Sequence, residues 1–338
     1  MNAPFPVTSE TVRLADLRQP DEALRIEAFV AGAGGTVFHR PAWLVAEKGG
    51  ALTGGLPLTE LHSPVFGRAL VSSGFAVGGG ILAVHDAAVR ALAAAAEELA
   101  LRHSAATVEL RGGPLPEGWD IRSESHCGFV ADLLGDDEAQ LLAVPRKQRA
   151  EVRKGLERDL TVHVGTGEAD RAAHYAVYAE SVRNLGTPVF PRRLFDAVLD
   201  TLDADILTIR HQGRAVASVL SLYHAGAVLP YWGGGTFSAR ALRANDRMYF
   251  ELMRHARDRG CSQFDFGRSK TGSGAYHFKR NWGFEPEPLS YASWTAPGAQ
   301  RRDADPTSSR HAARIALWRQ LPLALTNRIG PAIARGLG

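Results

Sequence analysis

One pattern occurs twice in this chain, and it restricts the fold more than any single motif. The first copy is a strand near Ala69–Ser73, the triplet Gly78–Gly79–Gly80, a helix at about Asp86–Arg102 and a short strand Thr107–Leu110. The second is a strand Ala227–Trp232, the triplet Gly233–Gly234–Gly235, a helix at about Asn245–Arg259 and a strand Gln263–Phe266. The triplets lie 155 positions apart (Gly78 to Gly233), and the acidic residues of the short strands 156 apart (Glu109 to Asp265). Equal order and near-equal offset predict two tandem copies of one αβ unit. A length of 338 residues accommodates two domains of ordinary size.

The punctuation around the second copy is consistent with this. Asn245 is of the type that caps a helix N-terminus, and Gly260 suits the left-handed position that ends one. Met248, Tyr249, Leu252, Met253 and Ala256 fall on one helical stripe, which predicts a core-facing surface. Two helices (about Ala169–Leu185 and Arg192–Leu202), a strand Asp205–Arg210 and a hairpin from Ala215 to Trp232 precede the repeat. A final hairpin is expected from Phe278 to Trp294. The fold class is therefore mixed α/β (α+β). The expected divisions are a first domain over residues 1–134, a connecting basic helix over 135–160, a second domain over 161–295, and a linker with a basic amphipathic tail over 296–338.

Composition narrows the functional classes. With 45% hydrophobic and 22% charged residues, the chain is not mostly disordered, collagen-like or a small disulfide scaffold. A net charge of +3 is too slight to indicate a nucleic-acid binder by itself. Cys127 and Cys261 lack metal-ligand spacing and are expected as reduced thiols. Met1–Arg13 has no basic segment followed by an apolar core, so no signal peptide is expected. Ala69–Val84 is too short to span a bilayer, and Ala215–Ala239 is interrupted at His224–Gly226 and closed by Gly233–Gly235, so no transmembrane helix is expected. The expected location is cytoplasmic or peripheral at the inner face of the plasma membrane.

Lysine usage directs attention to two segments. Only five of the 39 basic residues are lysines, and Lys147, Lys154, Lys270 and Lys279 fall in two short stretches. In the first, Arg146, Arg149 and Arg153 recur at helical spacing, with Lys147 and Lys154 on an adjacent strip. Six positive charges over positions 146–158 face only Glu151 and Glu157, a pattern suited to an anionic partner such as a nucleotide, a polyphosphate or an RNA backbone. The second, Asp265 to Gly283, carries Arg268, Lys270, Lys279 and Arg280 around Gly267, Gly272 and Gly274. It is expected to be a flexible loop leading into a strand with Tyr276, Phe278 and Lys279, suited to an anion or oxyanion. Asp265, between Phe264 and Phe266, is either a general base or the partner of a neighbouring arginine. His277 is a surface or satisfied residue, or a weak candidate for chemistry. The glycine triplets either approach phosphates or make tight turns.

The tail differs in composition. From Arg301 onward it has seven arginines, two aspartates and an apolar set that includes Ile315, Leu317, Trp318, Leu321, Leu325 and Ile329. It is either a helix docked on the domains or a basic amphipathic segment (310–338) on an anionic membrane, with Trp318 at the interface.

Pro145-Arg-Lys-Gln-Arg149 with Val152-Arg-Lys154, Tyr231-Trp-Gly-Gly-Gly235, Tyr276-His-Phe-Lys-Arg-Asn-Trp-Gly283 and Leu321-Pro322 through Gly330-Pro331 carry a resemblance. Here the chain resembles the FemAB-like (Fem-type peptidyltransferase, GNAT-like) family, especially its branch associated with exosortase/PEP-CTERM exopolysaccharide systems. The resemblance implies two GNAT-like acyltransferase domains in tandem, and an amide-forming acyl- or aminoacyltransferase with no tightly bound cofactor. It implies acyl-CoA or aminoacyl-tRNA as co-substrate, and an anionic small-molecule, glycan or peptide acceptor related to the envelope or to exopolysaccharide. The family's Phe-Lys-x-x-aromatic-Gly stretch falls on Phe278, Lys279, Trp282 and Gly283. Two family features are missing: the coiled-coil arm used for tRNA, and the Gln/Arg-x-x-Gly-x-Gly/Ala pyrophosphate pattern before the Asn245 helix. Lys279, Tyr276 and Asp265 are the expected catalytic residues. Arg146, Lys147, Arg149, Arg153, Lys154, Trp232, Arg268, Lys270 and Arg280 are the expected binding residues. A non-catalytic protein that binds anionic glycan or RNA, recruited to the membrane surface, is the alternative.

Overall fold

The computed structural model describes residues 10–32, 44–63, 67–74, 76–300 and 312–334. The chain divides into two compact units: 1–124 with 289–304 and 335–338, and 125–288 with 305–334.

The first unit contains β1 (Thr11–Leu14), α1 (Pro20–Gly32), β2 (Leu44–Lys48), β3 (Ala51–Leu56), β4 (Leu58–Ser63), β5 (Gly67–Ser72), β6 (Leu82–Ala83), α2 (Asp86–Arg102) and β7 (Thr107–Arg111). The start of β8 (Asp120–Gly128) also belongs to it. β5 pairs antiparallel with β4 and parallel with β7, Ala69 opposite Thr107, so β5–α2–β7 is a right-sized crossover unit. His85 caps α2 by accepting from the Ala88 N–H at 3.2 Å. The inward face of α2 is made of Ala88, Val89, Leu92, Ala93, Ala96 and Ala100. These small side chains allow a close approach, and Gly54 of β3 faces Leu92 with no room for a Cβ.

The second unit continues with β9 (Val130–Asp132), α3 (Asp137–Ala143), α4 (Arg146–Leu156), β10 (Thr161–Gly165), α5 (Glu168–Leu185) and α6 (Arg192–Thr201). Then come β11 (Ala204–His211), β12 (Arg214–His224), β13 (Ala227–Gly235), α7 (Ala239–Leu242), α8 (Ala244–Asp258), β14 (Gln263–Asp265), β15 (Ser269–Lys270) and α9 (Gly274–Asn281). Its sheet runs β10-β11-β12-β13-β14-β9, antiparallel except where β13 and β14 lie parallel across the α8 crossover. β13–α8–β14 is thus the counterpart of β5–α2–β7, and the duplication read from the glycine spacing is present as topology. The stripe Met248, Leu252, Met253 and Ala256 is at most 1% exposed and sits in the unit's core with Phe264, Phe266 and Trp282.

The first unit is closed by a strand from far along the sequence, the second by one from its own beginning. β16 (Glu287–Thr295) pairs antiparallel with β7 in the first unit, Ala292 opposite Leu110. β9 pairs antiparallel with β14 in the second, Phe264 opposite Ala131. The expected boundaries at 134 and 295 therefore differ from the observed ones, because strand pairing carries residues 289–295 back to the first unit. The segment 135–160 is not a connecting helix either. It breaks at Val144–Pro145 into α3 and α4, and α4 belongs to the second unit, burying Val152 in its core.

Three local expectations are corrected. Residues 274–281 form helix α9 rather than a strand of a hairpin, because Ser273 caps it by accepting from the Tyr276 N–H at 3.2 Å. Asn245 lies inside the first turn of α8, and the cap position is Arg243 at φ +57°. The triplet Gly233–Gly235 is not a turn but the end of β13, paired with Val219, Ser218 and Ala217. Gly260, at φ +83°, has the expected left-handed conformation after α8.

The tail forms α10 (Ala312–Gln320) and α11 (Leu323–Ala334), which pack on α5. Arg319 donates to the Leu185 carbonyl at 3.0 Å, and Gly330 lies against the Val189 backbone. The docked arrangement is therefore the one observed, and the Trp318 indole N–H is buried rather than offered to an interface. Most of the expected linker, residues 301–309, lies outside the described residues.

Backbone approach is tightest at Gly80, where a Cβ would stand 1.9 Å from the Gly112 carbonyl oxygen. Gly80→Ala should cost about 1–3 kcal/mol in urea unfolding. Gly135→Ala, with open space around it, should be close to neutral. Equal midpoints for the two variants would refute this packing.

Candidate active site at the parting of two parallel strands

In the second unit the two parallel strands part early. β13 and β14 pair only at Ala227–Gln263 and Val228–Phe264. Beyond Val228 no ladder pair joins them, while β13 continues to Gly235. A register shift accompanies the change: Leu220 is opposite Trp232 and Ser221 opposite Pro230, leaving Tyr231 as a bulge. A bulge bends its strand and increases the twist, which turns β13 from its parallel neighbour. The strand edge facing β14 over Leu229–Gly235 is therefore not used by β14.

The glycine triplet keeps this strand slim. A Cβ on Gly234 would meet Ser181 Oγ of α5 at 2.3 Å, and one on Gly235 would meet Asn245 Oδ1 of α8 at 2.6 Å. One on Gly233 would stand 3.3 Å from the Tyr249 hydroxyl. Tyr249 reaches β13 from α8, and its ring packs on Phe266 and Phe278; burial pushes its phenol up to about 12.

At the β14 side of the opening stands Asp265. Burial raises its carboxyl above the ordinary carboxylate range, while the Gly267 N–H at 2.8 Å and the charge of Lys279 draw it down. Its neighbour in charge is thus a lysine, not the arginine that spacing suggested. Lys279 is buried on α9, and its Nζ donates to the carbonyls of Gly267 (3.2 Å) and Arg268 (2.9 Å), with the Phe129 and Phe266 rings at 5.3 and 5.5 Å. Burial lowers its pKa to about 8, against the opposing pull of Asp265. In this position Lys279 secures the 265–268 loop at the mouth of the cleft. Tyr276, half-buried one turn earlier, packs edge-on to Phe129 at 5.6 Å.

The basic segment comes to the same region. α4 packs along α8: Gln148 donates to Asp246 at 2.6 Å, Arg247 donates to the Leu156 carbonyl at 3.0 Å, and Gly155 lies against the Arg243 backbone. Gly283, at φ +90° just past α9, lies against Pro145 at the start of α4. The two lysine-bearing segments, far apart in sequence, thus adjoin. Arg146, Arg149, Arg153 and Lys154 line a shallow basic depression of about 420 Å³. Arg146, Lys147 and Arg153 are exposed, whereas Arg149 also donates to the Val144 carbonyl and Lys154 to Glu151 at 2.7 Å. Lys270 and Arg280 are exposed and Arg268 is half-buried. Trp232 is 8% exposed and packs edge-on to Phe195 at 5.1 Å and Tyr231 at 4.5 Å, so it contributes through packing.

The first unit has the same crossover but not the same opening. There the Gly80 N–H donates to the Arg111 carbonyl at 3.1 Å, and the buried Arg111 side chain reaches Glu109 (2.9 Å) and the Ala76 carbonyl (3.1 Å). The space beside β7 is filled by protein.

Residues 145–280 match the family model of the acetyltransferase (GNAT) domain. The fold is that of tandem GNAT proteins. Among solved structures the chain is similar to a tandem GNAT protein from the clavulanic acid biosynthesis pathway, with a TM-score of 0.55 and 13% identity over 86% of this chain and 100% of that one. It is also similar to FemX (TM-score 0.57, 13% identity, 80% and 95% covered). A third is L-PGS from Bacillus licheniformis (TM-score 0.52, 15% identity, 88% and 96% covered). No curated protein matches the chain by sequence.

Sequence reasoning missed the cleft itself, Tyr249 as its neighbour, and His174. The last lies behind β13 on α5, 1% exposed, its Nδ1 3.0 Å from Ser218 Oγ, which in turn is 3.1 Å from Thr208. Burial lowers its pKa to about 3. Between pH 3 and the ordinary 6.5 the unfolded chain binds a proton that the folded chain does not, so stability falls as pH drops through that window. The contribution reaches about 1.4 kcal/mol per pH unit. Urea midpoints from pH 6.5 down to 5 should fall more steeply for the wild type than for His174→Gln; parallel slopes would count against it.

Proposed function

We propose that this chain is an acyl- or aminoacyltransferase that forms an amide bond in the cleft between β13 and β14. The observation that carries the reading is the parting of β13 from β14 beyond Val228, within a segment that matches the GNAT domain and beside a basic helix. A donor with an extended, amide-bearing arm can add to the β13 edge there as a strand does, and N–H groups of the same edge can face the carbonyl oxygen that becomes an oxyanion. Arg146, Lys147, Arg149 and Arg153 supply cations for the donor's phosphates or for an anionic acceptor. The acceptor amine attacks the activated carbonyl, the C–N bond forms, and the thiol or hydroxyl of the donor leaves with the electron pair. The amine proton passes to Asp265, whose raised pKa suits a base that must also release it. Lys279 and Tyr276 hold the loop and helix that present Asp265.

The donor is acyl-CoA or aminoacyl-tRNA. The GNAT match favours acyl-CoA, and the absence of a coiled-coil arm from the sequence weighs against tRNA. The acceptor class follows the resemblance to the exosortase/PEP-CTERM-associated branch: an envelope or exopolysaccharide-related amine.

Thermal shift of the full chain with coenzyme A, acyl-CoAs, charged tRNA and anionic glycan tests this. A true donor near 100 times its Kd should stabilise by about 2.7 kcal/mol. Stabilisation by glycan alone would replace the enzyme with a binding protein. Asp265→Asn should lower kcat by about 10²–10⁴ with donor binding retained. Arg146→Ala with Arg153→Ala should instead raise the donor KM. Asp265→Asn with unchanged kcat would remove it from proton transfer.

A further inference from the structure

The tail helices are arranged the reverse of ordinary docked helices. α11 turns its small residues inward: Thr326, Gly330 and Ala334, spaced four apart, are the buried ones. The close seat of Gly330 on Val189 explains why they are small, since a Cβ there would stand 3.1 Å from the Val189 nitrogen. Ile315 of α10 also lies against Gly186, but three other large aliphatics point outward. Leu325 is 42% exposed and Ile333 41%, and on α10 Leu317 is 62% exposed. Leu185, at the end of α5 where Arg319 bonds its carbonyl, is 66% exposed. A helix whose packing needs are met by small residues gains nothing in water from exposed leucine and isoleucine.

Charge supplies the second observation. Residues 306–338 contain five arginines and no acidic residue. Arg314 on α10 and Arg328 on α11 are exposed, as are Leu317 on α10 and Leu325 and Ile333 on α11. Their spacing puts Leu325, Arg328 and Ala332 along one side of α11, and Ala313, Leu317 and Gln320 along one side of α10. Apolar side chains interspersed with arginine and free of carboxylates complement a surface that is apolar below and anionic above. No helix of the described residues is long and apolar enough to cross a membrane, so the contact is one of lying on the surface.

We propose that the outer face of α10 and α11 docks on an anionic phospholipid bilayer. Leu317, Leu325 and Ile333 enter the headgroup–acyl boundary while Arg314 and Arg328 meet lipid phosphates. The buried Trp318 indole is not part of the contact. Because α10 and α11 also grip the end of α5 and the Val189 loop, the lipid contact is made without unpacking the unit.

The test is co-sedimentation of the full chain with vesicles of phosphatidylcholine alone or mixed with phosphatidylglycerol, with no donor present, so that it is independent of the proposed chemistry. The wild type should sediment with the mixed vesicles, weakly or not at all with the neutral ones, and less at high salt. Leu325→Glu with Ile333→Glu, and separately Arg314→Glu with Arg328→Glu, should each weaken binding roughly tenfold or more. These side chains are exposed, and an unchanged thermal melt verifies that the variants are folded. A wild type that stays in solution with mixed vesicles overturns the proposal. So does binding that survives both pairs of tail substitutions but is lost in Arg146→Glu with Arg153→Glu, which would make α4 the lipid-facing surface.

Discussion

The second unit depends on how closely two helices can approach one strand from opposite faces. Gly234 admits Ser181 of α5 on one side, and Gly233 and Gly235 admit Tyr249 and Asn245 of α8 on the other. With side chains at these positions both helices would stand off, and the sheet would lose the packing that fixes β13 past its bulge. The bulge bends the strand away from β14, and the glycines let α5 and α8 hold it in that bent course.

The comparison with the first unit makes the point by contrast. Both units bring two parallel strands together through a helix, and both place an acidic residue on the short second strand. In the first unit Glu109 is spent on Arg111, whose backbone and side chain occupy the space beside the strand. In the second unit the equivalent residue, Asp265, faces a lysine that is itself held by backbone carbonyls. A guanidinium is fully charged at any working pH and pairs in two directions at once. An ammonium tied to a loop leaves the neighbouring carboxyl with more freedom to exchange a proton. Duplication has supplied two scaffolds, and they differ in the residue beside the acid: Arg111 in the first unit, Lys279 in the second.

Much of this was legible in advance because it is written in local patterns. The Met248–Ala256 stripe and the Ala215–Trp232 hairpin depend on residues near one another, the repeat shows as equal spacing, and the structure has all three as read. The errors share a different origin. Tyr276 and Phe278 alternate like a strand, yet Ser273 two residues before Ala275 caps a helix, and the cap prevails over a short alternation. The triplet at Gly233 has the composition of a turn, but its glycines answer to Ser181 and Tyr249, residues that no local window contains. The cleft was unreadable for the same reason, since where two strands stop pairing is decided by a bulge opposite Ser221 and by β9 on the far side of β14. The expected site residues were found as charged clusters, and the structure distributes them among surface cations, a buried loop fastener and a packed tryptophan.

The return of β16 to the first unit has a consequence for biosynthesis. β7, made early, must wait for β16, whose residues 289–295 are translated only after nearly the whole second unit. During that interval the early half carries an open sheet margin with Val108 and Leu110 ready to pair, a template for a neighbouring nascent chain. The sheet of the first unit is therefore completed only when β16, the last strand among the described residues, has emerged, and the α10 and α11 helices that pack on the second unit follow it.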